Sequence, residues 1–305
     1  MLFRSVRTRD WGILPVGGVI FFDGDVLSQK QLAEDVARYR AESSVPLWIG
    51  ADEEGGTVSR LSGVALENIG AAKSFDGDAG RVRDAYGYLG EKMAAFGFNV
   101  NFAPVADVLT NAGNTVIGSR SFGTDPDTVA ACALAAAAGL EEHAVTAIFK
   151  HFPGHGDTAG DSHDGRVSLL HDRARLDAVE FLPFHEAVAQ GARAVLAGHI
   201  SLPALTGGDT PATLSPELID GLLRGEWGFD GVVFTDALDM RAITKYYGPG
   251  EASVMALQAG CDVLLMPENL VDAHAGVLDA VLNGILSEER LDESLLRQFS
   301  IKWTR

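Results

Sequence analysis

Short apolar runs recur along the chain, and most of them stop at polar residues. They are Val16–Phe22, Pro46–Ala51, Phe98–Pro104, Val145–Phe149, Ala192–Ala197, Gly231–Thr235 and Asp262–Met266. Each is of strand length, rich in Val, Ile, Leu or Phe, and without clean alternation. Strands buried on both faces of a parallel sheet have this pattern. Between the runs the apolar spacing becomes helical. Leu27–Glu42 opens at Ser28, a capping residue type, and carries Leu32, Val36 and Tyr39 on one face. Ala79–Phe96, Asp125–His143, Asp177–Gln190, Ser215–Trp227, Gly250–Ala259 and Leu270–Asn283 share the pattern, with Ser215-Pro216 fitting a cap and a first-turn proline.

Seven strands alternating with helices predict a parallel sheet with crossover helices. Met1–Val6 is the candidate for an eighth strand. No Gly/Ser linker or shift of composition divides the 305 residues, so one domain, 1–305, is expected. The choice lies between an open doubly wound sheet and a (β/α)8 barrel. An open sheet usually advertises a phosphate loop, and neither G-x-G-x-x-G after an early strand nor a Walker motif is present. Polar groups instead follow many different strands, and in a barrel all those strand ends face one site. The expected fold is therefore a TIM-type (β/α)8 barrel. Few residues precede Gly17, so the first β/α unit is expected to be short and the barrel to risk an open edge there.

Charge and composition narrow the partners. A formal net charge of −18 argues against nucleic acid, whose phosphates need a basic face. The longest uncharged stretches, Trp11–Phe22 and Thr128–Leu140, are about a dozen residues against the roughly 20 that span a bilayer. Arg4, Arg7 and Arg9 before an apolar run imitate a signal peptide, but no small-residue cleavage site follows. Cys132 and Cys261 cannot build a disulfide framework and suit a reducing compartment. A cytoplasmic monomer is expected, with no membrane or nucleic-acid partner.

The strand ends carry the candidate chemistry. Asp52-Glu-Glu-Gly-Gly56 with Arg60 follows the second run. Asp107 and Arg120 follow the third, Lys150 and His151 the fourth, His199 the fifth, and Asp236 ends the sixth. The loop 152–165 holds four glycines with His155, Asp157, Asp161, His163 and Asp164. It reads as a solvated polar loop, as a metal site using His151, His155, His163 and Asp157, or as a mobile acid/base in which Asp161 tunes His163. Glycines and a proline disfavour the helix that H-x3-H ligation needs. A histidinium held by a carboxylate can protonate a leaving group near neutral pH. Asp236 reads as a helix cap or as a carboxylate nucleophile. Lys150 reads as a surface cation, a Schiff-base lysine or a ligand group. As a set, carboxylates and cations with few aromatics suit a hydroxyl-rich ligand, with Arg60, Arg120 and Lys150 forming a local basic cluster among Asp52, Asp161 and Asp236.

Ordered motifs then define a resemblance: Gly17-Gly-Val-Ile-Phe21; Asp52-Glu-Glu-Gly-Gly56 with Arg60; Asn101-Phe-Ala-Pro-Val-Ala-Asp107; Ile117-Gly-Ser-Arg-Ser-Phe-Gly123; Lys150-His-Phe-Pro-Gly-His-Gly156 with Asp161-Ser-His163; and Phe234-Thr-Asp236. From about Val16 to about Met266 the chain resembles family 3 glycoside hydrolases, in their single-domain, NagZ-like β-N-acetylglucosaminidase branch. The resemblance implies a retaining exo-β-N-acetylglucosaminidase acting on muropeptide fragments in cell-wall recycling, with no cofactor and no metal. It implies Asp236 as nucleophile, His163 as acid/base, Asp161 as its partner, and Asp52, Arg60, Arg120, Lys150 and His151 as sugar-binding groups. Departures are Glu53 where the family often has Gln, Thr57 where it often has a basic residue, and Asp23-Gly-Asp25 where an Arg-Asn pair is usual. Phosphorolysis at the same site and a non-catalytic sugar-binding barrel are the alternatives.

Overall fold

A computed structural model describes residues 2–5, 16–161 and 165–303. Eight parallel strands form its centre. We number them β1 Leu2–Ser5, β2 Gly18–Phe21, β3 Trp48–Ala51, β4 Val100–Asn101, β5 in two stretches (Thr146–Ala147 and Phe149–Phe152), β6 Ala194–Ala197, β7 Val232–Thr235 and β8 Leu264–Leu265. Each strand pairs with its sequence neighbours. β1 lies between β8 and β2, with Phe3 opposite both Leu265 and Gly18. The bridges Val105–Lys150 and Phe234–Val263 join the remaining neighbours. The ring closes, so the expected open edge is absent, and Met1–Val6 does supply a strand. The connection from β1 to β2 falls in residues 6–15, outside the described residues.

Two apolar shells follow from strands buried on both faces. Inside the barrel, Ile20, Trp48, Val100, Ile148, Leu196 and Phe234 pack together, with the Phe234 ring edge-on to Trp48 and to Phe102. Outside, alternate strand residues such as Val19, Phe21, Ile49 and Val195 meet the helices. The helix Ala79–Ala95 packs tightly against Pro126–Glu141. Gly139 permits it, since a Cβ there would lie 2.5 Å from Arg83 O.

Short polar side chains start the helices as expected from the missing intrahelical partners of the first amides. Ser28, Asp78 and Asp125 accept from Gln31, Arg81 and Thr128 amides. Two expectations need correction. Asp177–Gln190 is not one helix but the helices Arg173–Ala178 and Leu182–Ala189, because Pro183 has no amide to continue the first through the second. Ser215 does not cap an amide with its side chain: its hydroxyl donates to Glu217 at 2.7 Å ahead of the π-wound helix Glu217–Glu226.

A last helix, Glu288–Lys302, went unpredicted and seals the barrel's N-terminal end. Its Ile301 enters the barrel interior, and Lys302 Nζ donates to Gly17 O and Pro46 O at 3.0 and 2.9 Å. Arg224, Arg297 and Ser294 converge on the fully buried carboxylate of Asp262, tying this helix to β7 and β8. The opposite end, where the strands finish, is open.

Candidate active site

The strand ends deliver their polar groups into one pocket of about 500 Å³. After β3, the chain reverses through a hairpin of Glu53–Gly55 and Val58–Ser59. Gly55 and Gly56 take φ of 87° and 62°, and a Cβ at Gly55 would lie 2.3 Å from Gly70 O. Extended backbone sends side chains to alternate faces. Asp52 and Glu54 therefore enter the pocket, while Glu53 turns away to Ser59 and to the Leu61 amide.

Glu54 organises the floor. It accepts from Arg120 Nε and Nη2, both at 2.8 Å, and pairs with Lys150 Nζ at 2.6 Å. The same ammonium donates to Asp52 Oδ1 at 2.7 Å. Glu54 and Lys150 are both about 2% exposed, so these charges interact in a low dielectric. Lys150 and Arg120 together outweigh the desolvation of Glu54 and hold its carboxyl down at about 2. Asp52 and Glu54 in turn raise Lys150 against its burial and keep it charged.

A second layer fixes His151. Asp107, fully buried after β4, accepts the His151 ring at Nδ1 (2.7 Å) and the amides of His151 and His155 (3.2 and 2.7 Å). Burial, with Arg120 and Lys150 alongside, pushes His151 well below its ordinary value. Burial raises Asp107 to about 6. The pair is thus a neutral imidazole donating Nδ1–H to a carboxylate, which leaves Nε2 as an acceptor 3.4 Å from Arg120 Nη2. The peptide between Lys150 and His151 is cis.

Asp236 closes the opposite side at the end of β7. Its backbone amide donates to Ala197 O at 2.9 Å and its Oδ1 accepts the Ala237 amide at 2.8 Å. Its carboxyl is lowered although burial opposes this, because His199, the Ala237 amide and Lys150 favour the charged form.

Asp52, Arg60, Arg120, Lys150, His151, Asp161 and Asp236, all singled out from the sequence, line this one pocket. His163 lies outside the described residues. Arg60, Arg120 and Lys150 line the pocket together with Asp52, Asp161 and Asp236; within it Arg120 is held by Glu54, Lys150 by Glu54 and Asp52, and Arg60 pairs with Asp23 at 3.2 Å. Arg60 Nε is buried with no acceptor among the described residues, a donor available to a ligand. Sequence reasoning placed Asp107 and His199 at strand ends without giving either a role, and passed over Glu54 as a pocket group. For Glu54 the strand period of two would have placed it beside Asp52 and opposite Glu53.

The stem of the loop after β5 is anchored at several points. Asn114 donates to His155 O at 2.7 Å, and Thr110 to Asp157 at 2.6 Å. A Cβ on Gly156 would lie 1.9 Å from Val108 O, so only glycine lets the loop run this close. Among the described residues, His151 and His155 belong to no group whose ligand atoms stand close enough to share a metal ion. Their nitrogens are engaged by Asp107, Arg120 and Thr158. Asp157, His171 and Glu180 stand close enough for a metal ion, but the Arg175 guanidinium already occupies Glu180 at 2.9 Å.

Comparisons with known proteins define the class. Residues 13–301 match the family described as "Glycosyl hydrolase family 3 N terminal domain", and the chain belongs to that family. It is 38% identical over 305 residues to the β-hexosaminidase LpqI of Mycobacterium tuberculosis, covering 94% of this chain and 76% of that one. It is 35% identical over 320 residues to β-hexosaminidase A of Pseudoalteromonas piscicida, covering 94% of this chain but 53% of that one. Among solved structures, a family 3 β-N-acetylglucosaminidase from Paenibacillus sp. superposes with a TM-score of 0.93 at 40% identity, over 99% of this chain and 60% of that one. The M. tuberculosis LpqI structure gives 0.90 at 34% identity, over 99% and 91%. The chain thus spans between about half and nine-tenths of these relatives. Among the described residues no helix is long and apolar enough to cross a membrane.

Proposed function

We propose that the chain is a retaining exo-β-N-acetylglucosaminidase that removes terminal β-linked N-acetylglucosamine from cell-wall-derived fragments. The observation that carries this reading is the ionised Asp236 carboxylate across one pocket from the Asp52–Lys150–Glu54–Arg120 array. A hydroxyl-rich ring can satisfy donors and acceptors on one side of such a pocket while its anomeric carbon meets a carboxylate on the other. The relatives, named β-hexosaminidases and a β-N-acetylglucosaminidase, support the same substrate.

In this mechanism Asp236 attacks the anomeric carbon and forms a glycosyl ester, while His163, partnered by Asp161, gives its proton to the departing oxygen. His163 then takes a proton from water, which displaces Asp236 and returns a β-configured sugar. Asp52, Arg60, Arg120, Lys150 and His151 hold the ring. We take residues 1–305 as one catalytic barrel acting without cofactor. The buried thiols of Cys132 and Cys261 suit a cytoplasmic setting.

Hydrolysis of 4-nitrophenyl β-N-acetylglucosaminide beside the β-glucoside and β-galactoside, with and without phosphate, tests the reading. Preference for the acetamido sugar and free N-acetylglucosamine as product are expected. A sugar 1-phosphate would make the protein a phosphorylase, and binding without turnover would make it a sugar-binding barrel.

A further inference from the structure

His199 stands at the end of β6, 1% exposed, and none of the roles proposed above uses it. Its Nε2 lies 2.9 Å from Ala237 O, the carbonyl of the residue that follows Asp236. A carbonyl only accepts, so Nε2 carries a proton. Its Nδ1 lies 2.9 Å from Thr213 Oγ1. That hydroxyl is also within 2.9 Å of two carbonyls, Ala197 O and Gly198 O, with donor geometry toward both.

Thr213 has a single hydroxyl hydrogen. If it were directed to Nδ1, two carbonyl oxygens would press against bare lone pairs of Oγ1 at hydrogen-bond distance. If it is directed to the carbonyls, Oγ1 is left as an acceptor, and Nδ1 must bring its own proton. In the second arrangement the hydroxyl hydrogen lies between the two carbonyls, of which Ala197 O also accepts the Asp236 amide, Oγ1 accepts from Nδ1, and both ring nitrogens carry a proton.

We propose that His199 is a buried imidazolium, locked by Thr213 and by the Ala237 carbonyl, and that it is the positioning residue for Asp236. This rests on the reading of Asp236 as nucleophile. Ala237 is gripped twice: its amide by the Asp236 carboxylate at 2.8 Å and its carbonyl by His199. The grip fixes the backbone immediately after the nucleophile. The positive ring supplies a counter-charge behind the carboxylate, so that Asp236 stays ionised in a pocket that burial would otherwise neutralise. Among the charged groups favouring ionised Asp236, His199 acts more strongly than Lys150 on β5. Asp161 and Asp239 line the same pocket and oppose that charge.

The test is the protonation state of His199 in ¹⁵N-histidine-labelled protein, read from the ring nitrogens by NMR at pH 7.5 and assigned with His199→Gln. Both nitrogens protonated is the expected result, with one proton lost in Thr213→Val and retained in Thr213→Ser. The acid limb of kcat/KM should move up by about one pH unit in His199→Gln and Thr213→Val, a roughly tenfold loss on the acid side. Thr213→Ser should restore it. A neutral His199 in the unmodified protein, or an acid limb unmoved while kcat falls equally at all pH, overturns the proposal. Absence of turnover in the unmodified protein, or full activity in Asp236→Asn, would instead sink the catalytic reading. The NMR state would still decide the geometry.

Discussion

Glu54 and Arg120 meet in a two-pronged pair, Nε to Oε2 and Nη2 to Oε1 both at 2.8 Å, on the floor of the pocket. The remaining reach of Glu54 goes to Lys150. One carboxylate therefore compensates two buried cations. Replacing it by a neutral isostere leaves Arg120 without its main partner and Lys150 with Asp52 alone, and breaking a buried pair typically costs about 3–5 kcal/mol. Glu54→Gln is expected to lower the urea midpoint accordingly at neutral pH, with an unchanged denaturant slope. A loss within experimental error would show that the pair holds nothing together.

The same group carries an acid-side signature. Its folded pKa of about 2 lies below the ordinary 4.5, so its contribution is complete above about pH 4.5 and is lost as pH falls through 2. The stability difference between the unmodified protein and Glu54→Gln should therefore shrink below pH 4.5. A difference that stays constant down to pH 3 contradicts this.

Glu53 behaves in the opposite sense. Burial raises it from 4.5 to about 7, so the folded chain binds more protons than the unfolded one between those values. Stability from this group is greatest below pH 4.5 and is lost as pH rises through 7. Glu53→Gln keeps an acceptor for the Leu61 amide and cannot ionise. It is expected to stabilise the protein at pH 8 by about 1–3 kcal/mol and to be nearly neutral at pH 5. Thermal melts at the two pH values decide; a gain at pH 5 and not at pH 8 reverses the sign. The glutamine common at this position in the family fits a site that favours an uncharged side chain.

Away from the pocket, Asp262 is fully buried and accepts from Arg224 at 2.6 Å, Ser294 at 2.7 Å, Val233 N at 2.9 Å and Arg297 at 3.1 Å. Asp262→Ala strands several donors at the sealed end of the barrel. Destabilisation of about 3–5 kcal/mol is expected, with kcat of the folded fraction unchanged. Destabilisation below 1 kcal/mol would show the cluster to be dispensable.

The barrel was legible because strands covered on both sides read as unbroken apolar runs, and the helices between them as amphipathic stretches. Lys150 and His151 illustrate the limit: read as following a strand, they belong to its second stretch, Phe149–Phe152, whose pairing with β6 shifts register between Phe149 and Phe152. Pocket residues announced themselves by type at strand ends. Their pairings did not. Glu54 sits among three consecutive acidic residues, and only the face it takes in the hairpin separates it from Glu53. Asp107 and His151 are 44 residues apart, Glu54 and Arg120 66, and Asp52 and Lys150 98, so which carboxylate serves which cation emerges only when the strands are set side by side. The helix Glu288–Lys302 had a readable start in Ser287 followed by Glu288 and Glu289, whereas its role as a barrel seal depends on Ile301 and Lys302 reaching across the fold.

The central claim is a covalent glycosyl ester on Asp236. Incubation with 5-fluoro-N-acetylglucosaminyl fluoride, which slows the second step more than the first, tests it by intact mass and peptide mapping. The account predicts one sugar added per chain, located on the peptide that contains Asp236, and no adduct in Asp236→Ala. An adduct on another carboxylate, or turnover of the reagent with inversion and no adduct, would contradict it.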